Sequence, residues 1–321
     1  MQQLPRATEK LDFVTVTFAG DLKLLELQAK SMAMFLPASL VGNIVVIFND
    51  ADPKENRDFF EENIRPLYGS LAPKLKLFNR ADLTGDYVFI HRDWFSQQIM
   101  KLRIAEHIEN SAYIILDSKN HFTRHVKRED FVAPDGRLKL AFMKFQTDSS
   151  FFRRLWSGGK VGYDIPRRLV GSFEYFGLKP EKYLQQIVPT TTPFPLYRDI
   201  SLNLINEIET RENKRFEDWF ETYFTATEFY LSQAFPLYKG IENEMLYLPS
   251  KRLGNIIFPG NVSIADIDQR LNKHRKQGYF SFGVHRKAFN GLNDETVALI
   301  GKFWVEIGLI ETEEEARLFL K

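Results

Sequence analysis

The sequence predicts an α/β protein: a mostly parallel sheet flanked by helices, with an aromatic-rich, mainly helical C-terminal part. Three observations predict it. Short β-branched or apolar runs recur at Phe13–Phe18, Asn43–Phe48 and Tyr113–Leu116. Segments of helical period stand between them, and buried apolar strands separated by helices imply a parallel sheet covered on both faces. Each run also stops on polar residues: Ala19-Gly20-Asp21, Asn49-Asp50, and Asp117-Ser118-Lys119-Asn120. Sheets of this kind bind ligands at the carboxyl ends of their strands. The three ends are therefore expected to converge on one cleft.

The elements follow in order. After the first strand, Leu24, Leu27, Met32 and Phe35 recur close to helical period, which predicts a helix over 22–35 that Pro37 ends. After the second strand, a helix is predicted from Glu55 to about Arg65, stopped by Pro66, and then a short strand at Leu75–Phe78. Trp94 to Ile108 reads as a helix with Phe95, Ile99 and Leu102 on one face, leading into the Tyr113 strand. From about Phe131 to Pro195 the chain is loop-rich, with Gly158-Gly159, Gly162 and Pro166. The Pro134-Asp135-Gly136 turn there predicts a hairpin between Phe131-Val132 and Leu138-Lys139-Leu140. Ser201 to Phe235 is helical and rich in rings. Ser263-x-x-Asp266 marks a helix start, Tyr279–Val284 a strand that delivers His285-Arg286, and Thr312-x-x-Glu315 a capping box.

No repeat and no clean boundary divides the 321 residues. A single domain over 1–321 is expected, with a ligand-binding half at about 11–130 and a second half at about 131–321. A net charge of +1 carries no global field toward nucleic acid. The basic pairs Arg153-Arg154 and Arg167-Arg168 read first as solvated faces. The absence of cysteine excludes thiolate chemistry and disulfides and is compatible with a cytoplasmic setting. No run reaches the ~20 apolar residues of a membrane span, though peripheral attachment at the inner membrane face would leave no such mark. Phe alone occurs 29 times. Most of these rings are expected in the core, and some are expected to shape a ligand groove.

Several familiar sites are missing. The sequence has no Gly-x-x-x-x-Gly-Lys-Ser/Thr loop, no Gly-x-Gly-x-x-Gly after the first strand, no Gly-x-Ser-x-Gly elbow and no His-Glu-x-x-His pair. An aspartyl phosphatase would want a second acid two residues beyond Asp117, and that position is Lys119. The order that does stand out is the strand ending at Asp21, an apolar second strand, Gln97-Gln98-x-x-Lys101-Leu102, and Tyr113-Ile114-Ile115-Leu116-Asp117-Ser118-Lys119-Asn120-x-Phe122. Thr227-Glu228-Phe229-Tyr230-Leu231 and Phe280–Arg286 follow it. This order resembles the GT-A-fold glycosyltransferases, and most closely a bacterial family of GT-A-like proteins, DUF6492, from about Phe13 to Arg286.

The resemblance implies a glycosyltransferase that takes a sugar from a nucleotide-sugar donor to a glycan or glycolipid acceptor, in bacterial surface-polysaccharide assembly. It implies a donor site built from Asp21, Gln98, Lys101, Lys119, Asn120 and Arg286. Asp117 would serve catalysis, and with His285 would hold Mn²⁺ or Mg²⁺ against the departing diphosphate. Glu228 would be the base for the incoming hydroxyl. The departure from the family pattern is Lys119, which stands where a second Asp is usual. Either Asp117 binds metal with help from Asn120 or His285, or Lys119, Arg286 or His285 supplies the counter-charge. The bland alternatives are a turn cap for Asp117, a solvated helix face for Glu228 and a packed side chain for His285. The rival functions are a non-catalytic nucleotide-sugar-binding or scaffold protein and, more weakly, phosphoryl transfer at Asp117.

Overall fold

A computed structural model of the chain describes residues 4–7, 9–91, 94–144 and 165–320. The first half runs β1 (Leu11–Thr17), α1 (Leu22–Phe35), β2 (Val41–Phe48), α2 (Lys54–Phe59), β3 (Leu75–Asn79), α3 (Arg80–Thr84), α4 (Trp94–Arg103), β4 (Ala112–Asp117), β5 (Asn120–Phe122), α5 (Arg128–Phe131) and β6 (Leu138–Ala141). Next come α6 (Ile165–Glu174), β7 (Phe194–Tyr197), α7 (Arg198–Glu212), α8 (Phe216–Thr222), α9 (Glu228–Tyr238), α10 (Asn243–Leu246), β8 (Tyr247–Ser250) and β9 (Gly254–Ile257). The chain closes with α11 (Ile264–Gln277), β10 (Ser281–Val284), α12 (Asp294–Glu306) and α13 (Ala316–Leu320).

The central sheet has the order β3-β2-β1-β4-β7. Its first four strands are parallel, and β7 joins β4 antiparallel. From β1 the chain moves outward to β2 on one side and later returns to β4 on the other. The carboxyl ends of β1 and β4 therefore flank the topological switch point, where such sheets open a crevice. Every residue of β1 is buried, as a strand covered on both faces requires. Phe13 meets Phe122 and Phe131 edge-on, with ring centroids 6.1 and 5.7 Å apart. At the opposite end of the sheet the buried Asp12 accepts from the Asn43 backbone N–H at 2.6 Å and the Asn110 amide at 2.8 Å, a structural staple far from the crevice.

A second sheet, β5-β10-β9, continues from β4. Its strand β10 runs antiparallel to β5, pairing Gly283 with Asn120, so its carboxyl end emerges beside Lys119. A side chain at Gly283 would lie 2.9 Å from the Lys119 carbonyl, so glycine is required for this approach. The C-terminal helices bury their own cluster, including Phe282, Trp304 and Phe319, against Leu27 of α1. The rest of the core packs around the central sheet.

Helix α1 spans the residues its periodicity predicts, and Ser263 caps α11 by accepting from the Asp266 N–H at 3.1 Å. Other expectations need correction. The helix predicted to about Arg65 is α only to Phe59, then passes through a π turn into a 3-10 stretch over 65–74. Pro66 enters that stretch instead of stopping it, because the first turn needs no N–H donor. The helix predicted to Ile108 is α to Arg103 and 3-10 from Ile104 to His107. The predicted hairpin reduces to one antiparallel bridge, Val132 to Leu138, and β6 pairs parallel with the distant β8. A lone two-stranded hairpin is marginal in water, whereas the long-range pairing buries Leu138, Leu140 and Tyr247. The loop-rich middle also holds α6. Of the rings between Ser201 and Phe235, expected in part to shape a groove, Phe216, Trp219, Phe220, Phe229 and Tyr230 are buried in the core, Tyr223 is partly buried and Phe224 is exposed. Arg153-Arg154, Gly158-Gly159 and Gly162 lie outside the described residues. Among the described residues, no helix is long and apolar enough to cross a membrane.

Candidate functional site

Asp117 ends β4 with its side chain 26% exposed, and three donors hold its carboxylate. Lys101, reaching across from α4, donates to Oδ1 at 3.0 Å. Lys119 pairs with Oδ2, and the Thr192 hydroxyl donates to the same oxygen at 2.9 Å. Burial alone would push this carboxyl up, but the two ammonium groups outweigh it and hold Asp117 far below the usual carboxylate range. It is an anion at any working pH.

Behind Lys101 lies Glu228, the first residue of α9, with its Oε1 3.4 Å from the Lys101 nitrogen. Its side chain is only 4% exposed, and burial raises its pKa above the ordinary value despite the neighbouring ammonium. Burial likewise pulls Lys101 down, but Asp117 and Glu228 more than compensate and its pKa is raised. Lys101 is thus a charged hub between two carboxyls. Removing one member of such a buried set typically costs roughly 3–5 kcal/mol, because the others keep uncompensated charge.

The backbone around Asp117 is fixed by a side chain that sequence reasoning missed. Gln28, fully buried on α1, donates to the carbonyls of Asp117 at 2.9 Å and Asn120 at 2.8 Å, and accepts from the Thr15 hydroxyl at 2.8 Å. A polar residue amid the apolar face of a predicted helix was the available signal. Thr192 was missed too, since nothing local ties it to a strand end some seventy-five residues earlier. Asn120 also departs from expectation. It is engaged within the turn: its Oδ1 accepts from the Asp117 N–H at 2.8 Å and lies 2.6 Å from the Thr192 hydroxyl, whose one proton it shares with Asp117 Oδ2.

The end of β1 supplies Asp21, 20% exposed, with its Oδ1 3.5 Å from Arg286 Nε. Burial dominates its titration and pushes it up to about 6, while Arg286 and Lys119 pull the other way. That Oδ1 atom is shielded from water and accepts no hydrogen bond within the described residues. Arg286 lies over the Phe18 ring at 4.8 Å, and a side chain on Gly20 would strike its Nη1 at 2.5 Å. Of the second strand's end, Asp50 accepts from the Ala19 N–H at 3.2 Å and so shapes the Asp21 loop. Asp21, Asp117, Lys119 and Arg286 are thus brought together at the switch point. Gln98 is not among them: it is fully buried and donates to the Trp94 carbonyl of its own helix at 3.3 Å.

His285 stands within electrostatic reach of Lys119 and Asp117, and burial first, then Lys119, lowers its pKa to about 4. It is neutral at physiological pH. Its Nδ1 accepts from the Lys287 N–H at 3.1 Å, so the single ring proton sits on Nε2. The Nε2 of His285 is therefore a donor, and its one lone pair, on Nδ1, is committed to the Lys287 N–H. His121, quoted in the motif beyond Asp117, is structural: its Nε2 accepts from Trp304 at 2.8 Å.

Both Asp117 oxygens already meet ammonium groups, and the His285 lone pair is committed. Among the described residues, no group of three or more His, Asp or Glu side chains could hold a metal ion. The expected pairing of Asp117 with His285 around Mn²⁺ or Mg²⁺ does not fit the residues present. Lys119 brings positive charge of its own to the Asp117 carboxylate.

The family described as "Family of unknown function (DUF6492)" matches residues 11–238. Among solved structures, the chain is similar to the bifunctional glycosyltransferase WbbM, at 11% identity over 97% of this chain and 52% of that one, with a TM-score of 0.45. It is similar to the galactosyltransferase LgtC in complex with donor and acceptor sugar analogues, at 14% identity over 92% of this chain and 100% of that one, with a TM-score of 0.44. A third likeness is glucosyl-3-phosphoglycerate synthase from Mycobacterium tuberculosis in complex with Mn²⁺, uridine diphosphate and glucosyl-3-phosphoglycerate. There the identity is 11%, the coverage 63% of this chain and 66% of that one, and the TM-score 0.35. The chain spans about half the length of WbbM. No curated protein matches the sequence. At these distances the activity has to rest on the chain's own residues.

Proposed function

The chain belongs to the DUF6492 family, and we propose that it is a glycosyltransferase. It would move a sugar from a nucleotide-sugar donor to a glycan or glycolipid acceptor, in surface-polysaccharide assembly. One observation carries the reading: at the switch point between β1 and β4, an ionised Asp117 is clamped by lysines beside an unsatisfied Asp21 oxygen.

The chemistry needs such an arrangement. Breaking a sugar–phosphate bond builds negative charge on the departing diphosphate, and fixed positive charge facing that oxygen lowers the barrier. Lys119, Arg286 and the Nε2–H of His285 are the groups that supply it. The Asp21 oxygen, shielded and accepting no hydrogen bond beside its ion pair with Arg286, would be satisfied by a hydroxyl of the nucleotide sugar. Asp117 orients Lys119 and can share a lone pair with a donor hydroxyl. Glu228 is better suited to positioning than to the role of base, since it sits behind Lys101 and holds that ammonium against Asp117.

The test is substitution of Asp117 by alanine, read as donor binding and sugar transfer. Both should be lost in a protein that still folds. If both were retained, the reading would be wrong. Lys119 in place of a second acid favours one rival, a nucleotide-sugar-binding protein without turnover. Donor consumed by wild type over a long incubation, but not by the alanine variant, would exclude it.

A further inference from the structure

We propose that a cleft between β9 and α11 is a binding site for a phosphate group carried by the acceptor. The cleft has a volume of about 460 Å³, and Thr191, Arg252, Asn255, Phe258, Arg270 and Lys273 contribute to its walls. Among the described residues, no Asp or Glu lines it. In a chain whose 43 basic and 42 acidic residues nearly cancel, three cations around one cavity with no facing acid are a local excess.

The arginines are held by neutral atoms, which fixes them without cancelling their charge. Arg270 donates to Asn255 Oδ1 at 3.4 Å, the Ile256 carbonyl at 3.0 Å and Asn261 Oδ1 at 2.8 Å. A guanidinium has five N–H groups in a rigid fork, so it keeps donors for a ligand. Arg252 donates to the thioether sulfur of Met143 at 2.7 Å, a weak acceptor. Among the described residues Arg252, Arg270 and Lys273 pair with no carboxylate. Two forks and an ammonium suit a phosphate ester, which carries about −1.5 to −2 charge at neutral pH, better than a singly charged carboxylate.

The place of the cleft assigns the anion to the acceptor. Thr191 precedes Thr192, whose hydroxyl binds Asp117, and the Phe258 ring lies 5.9 Å from that of His285. The cleft therefore adjoins the Asp117 cluster from the side of β9, and Asp21 is not in its lining. With the rings of Phe258 and Tyr279 in its walls it offers apolar surface beside the charge, as a sugar or lipid phosphate requires. That the phosphate belongs to an acceptor rests on the transferase reading; that the cleft binds it does not.

The test is calorimetric titration of the full chain with glucose 6-phosphate, octyl phosphate, glucuronate and glucose. Wild type is compared with the double variant Arg252→Gln/Lys273→Gln, which changes two exposed side chains. A phosphate probe should bind to wild type, and the double substitution should weaken it by roughly a hundredfold, about tenfold for each charged contact. Either phosphate probe behaving so supports the site, and the tighter of the two assigns the phosphate to a sugar or to a lipid carrier. Equal affinity in the double variant overturns the proposal, as does tighter binding of glucuronate or no binding of either phosphate. Displacement by saturating nucleoside diphosphates also overturns it, because the cleft would then be the donor's. Donor binding measured on the same two proteins separates the readings. If wild type binds the phosphate probe but no nucleotide sugar, the transferase reading fails while the cleft stands.

Discussion

Replacing Asp21 by asparagine should stabilise the protein, and most strongly at neutral or alkaline pH. The carboxyl titrates at about 6 in the folded chain against 3.8 in the unfolded one, because burial opposes its charge more than Arg286 and Lys119 favour it. A raised carboxyl contributes stability that is fully present below the unfolded value and is lost as pH climbs through the folded one. The difference is about two pH units at 1.36 kcal/mol each, so the ionised group costs roughly 3 kcal/mol above about pH 7. Integrated over the titration, the cost falls to roughly 0.6 kcal/mol at about pH 4. Asparagine keeps the shape and removes the charge, and Arg286, half exposed, loses little without its partner. Urea unfolding of both proteins at about pH 8 and about pH 5 would read the difference, with the gain shrinking by roughly half at the lower value. The same variant should bind donor more weakly, since the shielded oxygen is the proposed contact. A variant no more stable than wild type at the higher pH, or one whose gain does not depend on pH, would refute the reasoning.

Two further outcomes follow from the same network. Gln28→Leu strands the Thr15 hydroxyl and the carbonyls of Asp117 and Asn120 in a buried place; it should cost roughly 3 kcal/mol or more in urea unfolding, and a loss under about 1 kcal/mol would show that the Asp117 turn holds without it. Acid should destabilise the fold, because burial keeps His121 near 3 and His274 and His285 near 4, all below the ordinary 6.5. The unfolded chain takes up these protons first, so stability rises with pH from about 4 to about 6.5, against the weaker opposite trend of the single Asp21. Melting temperatures that stay level from about pH 7 to about pH 4.5 would contradict this.

What could be read from the sequence was whatever local pattern controls. The Phe13, Asn43 and Tyr113 runs become β1, β2 and β4 because an interior parallel strand needs apolar residues on both faces. The polar residues after those runs mark the crevice because strand carboxyl ends must meet there. Asp21, Asp117 and Lys119 were within reach of that logic, whereas Lys101, His285 and Arg286 came from the family resemblance, and the use of each was not legible. The tautomer of His285 depends on one backbone N–H, and the depth of Glu228 depends on where α9 packs against α4. Pairings across a long stretch of chain left no local trace, as with β6 against β8 or Thr192 against Asp117. Segment 60–74 misled for another reason: helical periodicity does not distinguish α from the π and 3-10 turns that follow Phe59.

The central claim is that fixed lysine charge at the Asp117 strand end, and not a divalent cation, receives the diphosphate of a nucleotide sugar. The most direct measurement is calorimetric titration of a panel of nucleotide sugars into wild type and Lys119→Gln, each with EDTA and again with Mn²⁺. The account predicts that one nucleotide class binds wild type equally well in both conditions, and that Lys119→Gln weakens it roughly tenfold. Binding that appears only with Mn²⁺, or that ignores the loss of Lys119, would contradict it.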